Sequence, residues 1–226
     1  MWAYIKDNKI EQIYQRPKSL VLGEVRYPSN MFSKYTDAEK AAIGIYPVVD
    51  TGTKGDDRFE YTSQATYIFD SSNNRVTTSY TITDKILNDV NEVWLQNEID
   101  ANQAPDGTSA NDPKLDEKGN QLVTKGLKTK AKNIAKQQAN NYISRFNWLV
   151  ERSIYDSSKA IPDVVKTYVA AIKTDCDNIE TAIDNASDMA AFKKLYDWEY
   201  NEDGSVKTIA PIHNWSDDYN VRQYGR

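Results

Sequence analysis

The chain has 226 residues, 33 of them acidic and 28 basic for a net charge of -5, with 39% hydrophobic and 11% aromatic residues, enough for one large domain or two small ones. Its charges are interspersed rather than gathered on a basic face, which argues against a nucleic-acid partner, and no run approaches the roughly 18 apolar residues of a membrane span. Fifteen Tyr and five Trp argue against ordinary disorder, and a single cysteine excludes an internal disulfide.

The opening residues, MWAYIKDNKIEQ, alternate and carry charge, so they predict a strand pair instead of a secretory leader, in a chain made and kept in the cytosol. WAYI and KIEQIYQ pair across a turn at Lys6 to Asn8, and Arg16 and Pro17 end the ladder. SLVLGEV is a third extended piece. Thr36, with Glu39 three residues on, forms a capping box, and AEKAAI stopping at Gly44 gives a two-turn helix. IYPVVD resumes extended structure, TGTKGDD is a polar turn, and FEYTSQATYIFD and RVTTSYTIT make a second hairpin around SSNN. In its return strand Val76, Thr78, Tyr80 and Ile82 share one face, the alternation of a half-buried antiparallel strand.

At Thr83 the hydrophobic period changes from 2 to 3.6, and Ile86, Leu87, Val90, Val93 and Trp94 form one helical stripe. QAPDGTSANDP breaks that helix. The stretch 103–126 reads as an inserted surface loop with a small hairpin turning at Lys118 to Asn120. Helical pattern returns with Ala131, Ile134, Ala135, Tyr142, Ile143 and Phe146, continues through NWLVERSIYD and stops near Ser157 and Ser158. Pro162 opens a long helix whose apolar series, Val165, Tyr168, Val169, Ile172, Cys176, Ile179 and Ile183, is close to a heptad. Ser187 caps a short helix in DMAAFKKLY, and the tail turns back around Asp203 and Gly204. The predicted fold class is α+β: an N-terminal antiparallel β module with a short capped helix over 1–83, a helical hairpin or bundle over 84–196, and a hairpin-like tail over 197–226.

Catalytic chemistry is sparse. His213 is the single histidine, set among Pro, Asn and Trp with no triad or ligand spacing around it. Cys176 falls on the apolar stripe of its helix and reads as an inert buried thiol. TGTKG lacks the spacing of a phosphate loop, and Glu199, Asn201, Asp203 and Gly204 imitate half a calcium loop but place Ala210 where a bidentate carboxylate is required. The pairs Asp56 with Asp57 and Asp217 with Asp218 are neighbours in polar turns, not a shared acid and base. The expectation is therefore a non-enzymatic protein with no catalytic residue, cofactor or metal.

Two segments resemble tail-fibre-assembly and related tail proteins of tailed bacteriophages. One is WAYIKDNKIEQIYQRP followed by MFSKYTDAEKAAIGIYPV, a short hairpin leading into a capped helix; the other is NWLVERSIYDSSKAIPDVVKTYVAAIKTDCDNIETAI, an Asn-Trp segment followed by Pro and a long helix. The chain departs from that pattern in the stretch 103–126 and in the roughly 30 residues after the last helix. The resemblance implies a virion component or a fibre-assembly chaperone that binds tail or tail-fibre proteins, found in the host cytoplasm during assembly and in the virion tail. Apart from that resemblance, a homo-oligomer is a further expected partnership.

Aromatic residues at helix ends and in turns are the candidates for partner contact: Trp148, Tyr155, Trp198, Tyr200 and Trp215. Two other functions fit the pattern. The near-heptad stripe suits a helical adaptor zipped to another helix, and exposed aromatics beside acidic turns suit a glycan-binding module.

Overall fold

The computed structural model describes residues 1–225. The chain divides into two compact units, Met1–Thr83 and the remainder from Asp84.

The first unit begins with β1 (Trp2–Lys6) and β2 (Lys9–Tyr14), antiparallel across a turn in which Asp7 and Asn8 both have positive φ, the conformation that matches strand twist in a two-residue hairpin. β3 (Leu20–Leu22) and β4 (Val25–Tyr27) form a smaller hairpin, followed by the single turn α1 (Met31–Lys34) and by α2 (Asp37–Ala42). The reciprocal bonds of the capping box are present: Glu39 N–H donates to the Thr36 hydroxyl at 3.3 Å, and Thr36 N–H donates to the Glu39 carboxylate at 2.8 Å. Gly44 ends this segment at φ +79°, and a Cβ there would lie 2.5 Å from the Ile5 carbonyl oxygen, so only glycine fits.

β5 (Ile45–Val49) then joins β1, and β6 (Glu60–Thr62), β7 (Thr66–Asp70), β8 (Arg75–Ser79) and β9 (Ile82–Asp84) complete the strands. The main sheet has the order β2-β1-β5-β8-β7 and curls until β2 approaches β7. It is mixed rather than purely antiparallel, because β5 pairs with β8 in parallel, Val48 opposite Val76. Alternation reports which face a residue takes, not the direction of its neighbour. Val76 and Thr78 do point inward, both buried. Ala3, Ile5 and Val76 pack on one side of the sheet, and Met31, Phe32, Leu20 and Ile45 cover the other.

The second unit opens differently from the sequence expectation. No helix runs from Thr83 through Trp94; beyond the end of β9 the segment is extended, with β10 (Val90–Asn91), a bridge at Val93 and then the short α3 (Gln96–Asp100). Its backbone is occupied elsewhere. The Ile86 and Leu87 carbonyls accept the Leu127 and Lys128 N–H groups, and the Asp89 carboxylate accepts Gly126 N–H at 2.9 Å, so this stretch caps the start of the next long helix. The stretch 103–126 is correspondingly not a free loop. It hairpins around Asp116 to Asn120, its two arms bridged to each other at Leu115 and Gln121, and it pairs with residues 90–94 through β11 (Val123–Thr124) and a bridge from Pro113 to Val93.

Helices follow: α4 (Leu127–Ser144), α5 (Asn147–Tyr155), α6 (Asp163–Asn185) and α7 (Met189–Lys194), then the hairpin β12 (Glu199–Tyr200) and β13 (Val206–Thr208) turning at Gly204, and two 3-10 turns. α4 and α6 are antiparallel, with Lys132 on Asp184, Lys136 on Glu180 and Arg145 on the Tyr168 hydroxyl marking the register. Ala131, Ala135 and Ala139 recur every fourth residue on α4 and are buried, which lets α6 approach closely with Val165, Tyr168, Ile172, Cys176, Ile179 and Ile183.

Candidate protein-binding surface

α5 is a nine-residue helix between the two long ones. Leu149 is fully buried and fixes one side. Trp148 is half-buried, its indole N–H donating to the Tyr224 carbonyl at 2.9 Å while the Arg152 guanidinium lies 5.1 Å over its ring. What these anchors leave is apolar. Val150 and Ile154, one turn apart, are 45% and 74% exposed, and Tyr155, the last residue of the helix, is 90% exposed. Val150 also edges a cleft of about 140 Å³ lined by Ile143, Phe146, Ile161, Val165 and Val169, with Lys166 and Asn147 at its mouth. The helix end is held in place by Asp156, whose carboxylate accepts both the N–H and the hydroxyl of Ser158; those bonds hold its pKa below the ordinary value.

The five aromatic candidates do not form one site. Tyr155 stands at the apolar end of α5. Trp198 and Tyr200 belong to the C-terminal hairpin, 39% and 60% exposed, with Trp198 stacked on the exposed His213 ring at 6.0 Å. Trp215 is half-buried edge-on against Tyr142 at 5.4 Å, with its indole nitrogen sealed from solvent and unpaired among the described residues. Trp148 and Trp215 are thus engaged within the unit, fastening the C-terminal tail to α5 and α4.

Val150 and Ile154 are not among the sequence candidates, which are aromatic; the signal for them is that Leu149 and Val150 differ by 100° around a helix and cannot both face one core. The near-heptad stripe of α6 is buried against α4 and is not presented to a partner helix.

Cys176 is buried, its thiol 3.6 Å from the Glu180 carboxylate, and burial followed by that carboxylate pushes its pKa up, the reverse of an activated nucleophile. Among the described residues no group of three or more His, Cys, Asp or Glu side chains could hold a metal ion. Among the same residues no helix is long and apolar enough to cross a membrane. No family model matches the chain, and comparison with curated proteins and with solved structures finds no match either.

Proposed function

We propose that the chain is a non-enzymatic structural or accessory protein of a tailed bacteriophage, acting in the tail or in tail-fibre assembly, and that its helical unit holds a tail or fibre protein. The observation that carries the binding part is the exposed apolar end of α5, Val150, Ile154 and Tyr155, beside an apolar cleft. Burying two such aliphatic side chains and a tyrosine against a partner is worth several kcal/mol at about 25 cal/mol per Å² of apolar surface, before the costs of association. Val150, Ile154 and Tyr155 are exposed in the described unit. The phage context rests on the two segments that resemble tail proteins, the capped-helix hairpin and the Asn-Trp to Pro to long-helix run.

Two measurements test the reading. Mass spectrometry of purified virions is expected to find the chain as a tail component, and its absence there together with loss of soluble fibre on deletion assigns the chaperone role. Co-expression with the tail and fibre proteins is expected to give a complex that Ile154→Glu abolishes without lowering the melting temperature. A complex indifferent to Ile154→Glu sinks the α5 surface, and no complex with any of them sinks the function.

A further inference from the structure

α6 and the C-terminal tail enclose a groove of about 360 Å³, distinct from the α5 cleft and within the size range of small-ligand sites, about 300 to 1,000 Å³. Its base is apolar: Tyr168 and Val221, both buried, with Ala171 and Val164 beside them. Its mouth carries the carboxylates of Asp163 and Asp217, and among the described residues no Lys or Arg lines it. Both carboxylates keep most of their surface, at 93% and 77% exposed side chains. Asp163 is met by the solvent-exposed Lys166 at 2.9 Å, a surface pair worth little. Asp217 accepts the Tyr219 N–H at 2.7 Å and lies 3.9 Å from Arg222, whose nearer partner is Asp218, so its second carboxylate oxygen is open to a cation.

The walls are fixed in the unbound chain. Ser216 N–H donates to the Asp175 carboxylate at 2.7 Å, Arg145 holds Asp218 at 3.1 Å, and Val221 is buried. An apolar base with two acidic groups at the mouth matches a side chain that is itself apolar along its stem and cationic at its tip. We infer that this groove takes an arginine or lysine side chain presented by a partner polypeptide, its methylenes against Val164, Ala171 and Tyr168 and its charge between Asp163 and Asp217. The inference rests on the protein-binding reading and adds a second contact, of different chemistry, to the α5 surface.

The test uses the full chain, ¹⁵N-labelled, titrated into the low millimolar range with an acetylated, amidated Ala-Leu-Arg-Leu-Ala peptide, with the same peptide carrying Glu for Arg, and with spermidine. The arginine peptide is expected to shift the amides of Thr167, Ala171, Ser216 and Asn220, and the glutamate peptide is not. The double variant Asp163→Asn with Asp217→Asn should lower the affinity about threefold to fivefold, the loss expected from removing exposed ion pairs. Thr167→Arg, at an exposed position that tolerates a longer side chain, should place a competing cation in the groove and block the shifts. No shift with the arginine peptide, equal shifts with the glutamate peptide, unchanged affinity in the double variant, or a response to spermidine alone each overturns the inference. These outcomes are independent of the Ile154→Glu co-expression result, so the groove and the α5 surface fail separately.

Discussion

Arg145, at the end of α4, reaches the Asp218 carboxylate at 3.1 Å and with its other amino group donates to the Tyr168 hydroxyl at 3.3 Å. One guanidinium therefore ties the tail to both long helices, and Arg222 closes on the same carboxylate from within the tail. The bonds from Arg222 and then Arg145 hold the Asp218 pKa below its ordinary value.

Asp218→Asn should loosen the tail before it unfolds the unit. The amide keeps the shape but loses the charge, leaving the half-buried Arg145 without its ion pair. Limited proteolysis is expected to cleave between Trp215 and Val221 faster in the variant, with the melting temperature lower by a few degrees. A proteolysis pattern identical to the parent's would show that the remaining anchors, Trp148, Trp215, Ser216 and Val221, hold the tail without the Asp218 charge.

The stretch 103–126 is expected to matter for stability, although its polar composition reads as dispensable. Gln121 donates one side-chain amide to the Glu92, Leu122 and Lys114 carbonyls at 2.7, 2.9 and 3.1 Å, and Lys114 pairs with Glu98 at 2.7 Å. Gln121→Ala should cost about 1 to 2 kcal/mol, since carbonyls at a partly buried position lose their donor. Replacing the whole stretch with a Gly/Ser linker should lower the melting temperature clearly, because residues 90–94 lose their pairing partner. An unchanged melting temperature would mean that the pairing contributes nothing net.

Gly126 occupies a position where a Cβ would lie 2.5 Å from the Asn88 and Leu87 carbonyl oxygens. Those atoms are backbone and cannot rotate away. Gly126→Ala should therefore destabilise by about 1 to 3 kcal/mol, the usual range for forced overpacking, at an N-cap position where alanine is also the poorer residue. Chemical denaturation of the variant against the parent measures it.

Asp89 makes the same junction sensitive to acid. The Gly126 N–H, then Thr129 and Lys125, lower its pKa from 3.8 to about 2. A folded-state pKa below the unfolded one contributes stability that is fully present above the ordinary value of 3.8 and is lost as pH falls through about 2. Carboxyl-carbon NMR titration should find Asp89 titrating near 2. Asp89→Asn should flatten the fall of melting temperature over that window; an unaltered acid limb would place the sensitivity at other carboxylates, Asp70 among them, whose pKa is also lowered to about 2 by Asn73 and Ser72.

Much of this fold was legible because its signals are local. The Thr36 and Glu39 capping box, the Asp7 and Asn8 turn, Pro162 ahead of α6 and the Gly204 turn all depend on residues within four positions of one another. The failures are non-local. Ile86, Leu87, Val90, Val93 and Trp94 have helical spacing, but their backbone groups cap α4 and pair with 112–124, partners that no window around Thr83 contains. The parallel β5 and β8 pairing is missed for the same reason, and α1, a single turn of four residues, is too short for any period to declare. At the candidate surface Tyr155, Trp198 and Tyr200 were legible as exposed aromatics, whereas the internal use of Trp148 and Trp215 depends on tail contacts 76 residues away for Trp148 and on the Tyr142 ring for Trp215.

That distinction separates the aromatic candidates by experiment. Trp215→Ala removes a ring packed on Tyr142 and opens the space beside α4, so it should destabilise by on the order of 2 kcal/mol whether or not a partner exists. Tyr155→Ala removes a side chain that is 90% exposed and should change stability by less than about 0.5 kcal/mol. If the α5 end is the partner surface, Tyr155→Ala and Ile154→Glu should both weaken the complex with the tail or fibre protein while leaving the denaturation midpoint in place. Trp198→Ala, which removes a partly exposed ring stacked on His213 in the C-terminal tail, should then leave the complex unchanged. The opposite pattern, with Trp198→Ala abolishing the complex and the α5 variants neutral, would move the partner surface to the C-terminal hairpin.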